Sequence, residues 1–135
     1  MVYGNTKGIK NNIKDRLDKL NEIKSEEFLS LELLTELSEI TRILMREVCV
    51  YISRVGEVIY VSLGEDDRAS LATMSFRRSG SRLSAIRCIH THPGGNGMLS
   101  SVDIESLKKL RFDAMCAIGV NENGATNASC AVLDD

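Results

Sequence analysis

Only two histidines occur in the 135 residues, and they stand two apart, at His90 and His92. They close an apolar run, Ala85-Ile86-Arg87-Cys88-Ile89, whose composition reads as a β-strand. Side chains alternate across a strand, so residues i and i+2 share a face and both imidazoles point the same way at the strand's end. Pro93 then stops the ladder, because it has no N–H to donate. A glycine-rich loop, Gly94-Gly95-Asn96-Gly97, turns the chain toward Ser100 and Asp103, which fall in the first turn of an expected helix. Two imidazoles and one carboxylate make the ligand set of an open zinc site, with a fourth position left for water.

A second role is open to Asp103. Ser100-Ser101-Val102-Asp103 fits a capping box, in which the carboxylate bonds back to the Ser100 backbone. A zinc hydrolase also needs a base to take a proton from water. Three glutamates on the strand side qualify: Glu47, Glu57 and Glu65. Glu57 belongs to a hairpin turn, on the order of 20 Å along the strand from Glu47. Glu65 lies in a charged loop. Glu47 stands where a helix passes into an apolar strand, so its backbone is rigid, and it is the favoured base. Its alternative is an ordinary exposed helix-end glutamate. Other chemistries lack their residues. There is no G-x-x-x-x-G-K-[ST] phosphate loop and no H-x-E with P-C-x-x-C deaminase pattern. A serine or cysteine nucleophile would need a histidine as base, and both histidines are committed together.

The elements that must position these residues follow from periodicity. Ile9, Ile13, Leu17 and Leu20 make one helical stripe, which predicts a first helix from Asn5 or Thr6 to about Lys24. Its lysines and Arg16 read as a solvated face, diluted by Asp15 and Asp18. Ser30 caps a second helix over roughly 31–46, with Leu33, Leu34, Leu37, Ile40 and Leu44 facing the core. Val48–Ile52 and Val58–Val61 form a hairpin across Ser53–Glu57. A weaker strand is expected at 71–76, followed by a turn carrying Arg77, Arg78 and Arg82 as surface charges. The histidine strand, a helix over about 101–111, and strands at about 114–118 and 129–133 complete the order. This is one α/β domain around a mixed sheet, with residues 1–30 as helix and joint and 31–135 as the core.

Composition excludes several classes. A net charge of -2, with 43% hydrophobic and 27% charged residues, is ordinary for a globular protein and gives no pull toward nucleic acid or an anionic membrane. No apolar run approaches the ~20 residues that span a bilayer, and no signal peptide is expected. Cys49, Cys88, Cys116 and Cys130 form no C-x-x-C and lie in apolar runs, so four buried thiols in a reducing cytoplasm are expected.

The pattern His90-x-His92-Pro93 with Ser100-x-x-Asp103 resembles the JAMM (MPN+, JAB) metalloprotease motif, H-x-H-P-x6-S-x-x-D, at the same spacing. The resemblance implies a JAB/MPN-like, cytidine-deaminase-like mixed sheet flanked by helices. It implies zinc on His90, His92 and Asp103, Glu47 as general base, and Ser100 stabilising the oxyanion. Tyr3-Gly4-Asn5-Thr6-Lys7-Gly8, His90–Asn96, Leu107–Leu110 and Ala117–Val120 are similar to the N-terminal extension of clostridial HflX-type GTPases, which is related to RadC-like proteins. That likeness implies a leading domain of a cytoplasmic, ribosome-associated GTPase. GTP and magnesium would then belong to a GTPase module further along the chain, and this segment would carry no GTPase activity. Two functions follow. One is a zinc-dependent peptidase or isopeptidase acting on a peptide-like substrate. The other is a non-catalytic module contacting the ribosome, RNA or its own GTPase domain.

Overall fold

The computed structural model describes residues 2–64 and 86–133. The expected strand at 71–76, the arginine turn and Glu65 lie outside the described residues.

Among the described residues the sheet has six strands: β1 (Tyr3–Gly4), β2 (Val48–Ser53), β3 (Val58–Leu63), β4 (Ile86–Pro93), β5 (Ala114–Asn121) and β6 (Gly124–Val132). Their order is β1-β3-β2-β4-β5-β6. The sheet is mixed: β1 pairs with β3 and β4 with β5 in parallel, while β2–β3, β2–β4 and β5–β6 are antiparallel. The histidine strand β4 is therefore internal, as its apolar run required. Among the described residues the α-helices are α1 (Asn11–Lys19), α2 (Leu31–Leu44) and α3 (Ser101–Leu110).

Helix α2 begins where Ser30 accepts the Leu33 N–H at 3.2 Å, supplying a partner for a backbone donor of the first turn. It ends at Met45, whose φ of 53° leaves the helical region. Its buried Leu33, Leu37, Ile40 and Thr41 recur at helical spacing. With Ile13 and Leu17 of α1 they cover one face of the sheet, formed by Val48, Val50, Val61, Ile89, Ile118 and Val120. Each such aliphatic side chain contributes roughly 1.5–3 kcal/mol when fully buried. The opposite face carries Cys49, Tyr51, Cys88 and Met115, packed with Leu107 of α3 and Phe112.

The first helix is shorter than its stripe predicts. Lys10 occupies the N-cap position without a side-chain cap, and a 3-10 turn over Leu20–Glu22 follows α1. Residues before it are used otherwise, since Tyr3–Gly4 adds a parallel strand to the edge of β3. The last two strands are longer than expected and meet in a tight hairpin at Asn121 and Gly124. The cysteine expectation needs correction. Cys116 and Cys130 stand opposite each other in the β5–β6 register, 4.1 Å apart at Cα, and are disulfide-bonded. Only Cys49 and Cys88 are free buried thiols, with Sγ atoms 3.5 Å apart.

Arg87, the one charge in the apolar run, is buried on the α2 side. Its guanidinium donates to the carbonyls of Ser25, Glu27, Phe28 and Ser53. It thereby ties the joint before α2 to β4. No described helix is long and apolar enough to cross a membrane.

Candidate metal centre

Alternation along β4 decides which residues meet. His90 and His92 fall on the α3 face, while Ile89 and Thr91 between them fall on the α2 face. Thr91 is fully buried there and bonds Thr41 of α2 at 2.6 Å, and its Oγ1 accepts the Val48 N–H at 2.9 Å. This holds the strand end against α2 and β2 while the imidazoles project the other way.

Beyond Pro93 the loop folds back over β5. Gly94 and Gly95 donate their N–H groups to the Val120 carbonyl at 2.9 and 3.0 Å. Gly119 lies beneath, and a Cβ at this position would stand 2.6 Å from both the Gly95 oxygen and the Gly97 nitrogen. Only a residue without a side chain admits that approach. Ser100 then opens α3 with a complete capping box: its Oγ accepts the Asp103 N–H at 3.0 Å, and Asp103 Oδ2 accepts the Ser100 N–H at 2.9 Å.

The same Asp103 carboxylate meets both histidines. Oδ1 lies 3.2 Å from His90 Nε2, and Oδ2 lies 3.5 Å from His92 Nε2. One ligand atom from each of the three side chains lies within 4.8 Å of the others, a grouping that can hold a metal ion. The two separations run to different oxygens of the one carboxylate, so Asp103 faces both imidazoles at once.

Two further observations fit a cation. His90 is 3% exposed, and among the described residues neither of its ring nitrogens has a hydrogen-bond partner. The 3.2 Å contact with Asp103 is close but poorly directed, so it is an electrostatic contact rather than a hydrogen bond. A buried imidazole left this way is costly unless something else satisfies it. His92 is oriented by the Asn96 carbonyl, 2.9 Å from its Nδ1. A carbonyl only accepts, so Nδ1 carries a proton and Nε2 is the nitrogen offered to a metal.

The electrostatics follow from this crowding. Burial by itself would raise the Asp103 carboxyl. The contacts with His90 and His92, and the Ser100 N–H, outweigh it and hold the group well below the usual carboxylate range. His92 is raised, chiefly by Asp103 and against the effect of burial, with help from the Asn96 carbonyl and the charges of Asp103 and Glu47. Glu47 is 8% exposed, not an exposed helix-end residue. Cys49 pairs with His90 in the antiparallel β2–β4 register, so Glu47, two residues earlier, comes level with His92. Burial raises its pKa, His90 and His92 lower it, and Asp103 raises it. It therefore senses all three members of the cluster.

Of the residues singled out by sequence, His90, His92 and Asp103 converge and Glu47 stands beside them. Ser100 caps α3, and its hydroxyl proton is not consumed by that role. Glu57 is exposed at the hairpin turn. Cys88 shares the face of His90 but pairs with Cys49 deeper in the sheet. Sequence reasoning missed Asn96, Gly119 and the β6 side chains that hold the loop. A glycine inside an apolar strand was the available signal for Gly119. Nothing comparable marks the others. No family model, curated protein or solved structure matches the chain.

Proposed function

We propose that this chain is a zinc-dependent hydrolase domain of the JAMM (JAB/MPN) type, cutting an amide bond in a peptide-like substrate. The observation that carries the proposal is the convergence of His90, His92 and Asp103 around a buried imidazole with no hydrogen-bond partner among the described residues. Zinc, when bound, acts as a Lewis acid and makes water a competent nucleophile near neutral pH.

The chain's own residues supply the rest. Glu47 is buried immediately before β2, where burial raises its pKa, and it would accept a proton from water and return it to the leaving amine. His92 is fixed in one tautomer by Asn96. Ser100, at the rim, offers a hydroxyl proton to the oxyanion. The likeness of Tyr3–Gly8, His90–Asn96, Leu107–Leu110 and Ala117–Val120 to the HflX extension supports a cytoplasmic role with an HflX-type GTPase module and the ribosome as partners.

Metal analysis after zinc reconstitution, coupled to a fluorogenic peptide library, tests this. One zinc per chain is expected for the parent. His92→Ala is expected to lower zinc affinity by more than about 100-fold while keeping the circular dichroism spectrum. Equal uptake by both proteins would remove the basis of the proposal. Stoichiometric zinc without peptide turnover would instead favour the non-catalytic interaction module.

A further inference from the structure

The loop between the two halves of the ligand set is held from outside the motif. Its anchors come from the edge strand β6. Ser129 Oγ accepts the Leu99 N–H at 3.0 Å and donates to the Gly97 carbonyl at 2.6 Å. Asn127 Oδ1 accepts the Gly97 N–H at 2.7 Å. Thr126 Oγ1 donates to the Gly95 carbonyl at 2.7 Å. These bonds span 30 to 32 residues of sequence, so they are tertiary rather than local.

Their placement determines what they control. The Asn96 carbonyl that orients His92 lies between the Gly95 carbonyl and the Gly97 N–H, both fixed by β6. Leu99 immediately precedes Ser100, whose backbone N–H and Oγ orient Asp103. A glycine-rich segment has little intrinsic preference for one conformation. Its geometry therefore has to be imposed from outside, and β6 side chains do so at Gly95, Gly97 and Leu99.

We infer that Ser129 and Asn127 are positioning residues for the metal centre: they set the His92 tautomer and the placement of Asp103 through the loop, without touching the metal. Ser129 has the larger share, because one hydroxyl satisfies both an N–H and a carbonyl of the loop. This rests on the zinc reading of His90, His92 and Asp103. Outer partners of this kind typically govern 10- to 100-fold in metal affinity.

The test compares the parent with Ser129→Ala, Asn127→Ala, Ser129→Thr and the β6 control Ala128→Ser, using zinc competition against a chromophoric chelator. The metal-free melting temperature and the 15N shifts of the His92 ring, recorded above its titration, are measured alongside. Ser129→Ala and Asn127→Ala are expected to weaken zinc about 10- to 100-fold. Each should shift His92 away from a pure Nδ1–H tautomer. Ser129→Thr, which keeps the hydroxyl, restores both readouts, and Ala128→Ser changes neither. Parent-like zinc affinity in Ser129→Ala, or a lowered melting temperature with unchanged affinity and tautomer, would overturn the inference. If the parent itself binds no zinc, the metal reading fails. The His92 tautomer in the metal-free variants then decides the positioning role on its own: a shift supports it and an unchanged tautomer refutes it.

Discussion

Asp103 and Ser100 exchange two hydrogen bonds, side chain to backbone in each direction, and the same Asp103 carboxylate stands 3.2 Å from His90. Capping and ligation are thus not alternatives for this residue. Oδ2 closes the cap while Oδ1 faces the buried imidazole, so the cap fixes the rotamer that ligation needs. Ser100→Ala is expected to lower unfolding free energy by about 0.5–2 kcal/mol, the usual cost of a lost N-cap. The Ser100 backbone N–H still holds Asp103, so zinc stoichiometry should stay at one. Peptide turnover should fall by about 100-fold or more if the hydroxyl serves the oxyanion. Urea titration, metal analysis and turnover separate these three effects.

The metal-free domain should lose stability as pH rises. His92 is raised in the folded state, so its contribution is complete below about pH 6.5 and is lost as pH climbs through the folded value. Asp103 is lowered, so its contribution is present above about pH 3.9 and is lost as pH falls below it. Melting temperatures between pH 5 and pH 8 should therefore decline without metal. Added zinc should oppose the decline, because its imidazole ligands must be deprotonated and its affinity rises with pH. A flat metal-free profile would contradict the ion contacts at the site.

Glu47→Gln isolates proton transfer from binding. The ligands are untouched, so zinc affinity should remain within a few-fold of the parent. Peptide turnover should fall by about 100- to 10,000-fold, the range supplied by a general base. Stability supplies a second readout. Burial raises the Glu47 pKa, so the parent loses stability relative to the glutamine variant as pH rises above about 4.3. The variant should therefore show a shallower decline toward neutral pH. Undiminished turnover would exclude Glu47 as the base.

The disulfide joins residues 14 apart in sequence across β5 and β6. Closing a loop of that size is worth about 3 kcal/mol in a chain-entropy account. Cys130→Ser, or reduction of the parent, should lower unfolding free energy by roughly 2–4 kcal/mol in urea titrations. Identical midpoints for oxidised and reduced protein would show that the pairing of β5 and β6 stands without the bond.

Much of the scaffold was legible because single-chain periodicity reports it directly. Leu33, Leu37 and Ile40 marked the face of α2, and Ile86–Ile89 marked an internal strand. The convergence of His90, His92 and Asp103 was legible because rare residue types fell at informative spacings. The disulfide was not, because Cys116 and Cys130 become neighbours only through the β5–β6 register. Tyr3–Gly4 is too short for any periodicity to reveal a strand. The β6 anchors were hidden because Ser129 and Asn127 are common turn and surface residues, and their partners lie about thirty positions away.

Strand β4 is written in two interleaved phases. Cys88, His90 and His92 address one side of the sheet, while Arg87, Ile89 and Thr91 fasten the other side to the joint, the core and α2. Any single substitution disturbs one phase and spares the other. A change of length disturbs both, because one residue inserted after Ile89 would send both imidazoles into the α2 core and turn Thr91 to the α3 face. The register of β4, from Ile86 to Pro93, therefore serves both sides of the sheet at once.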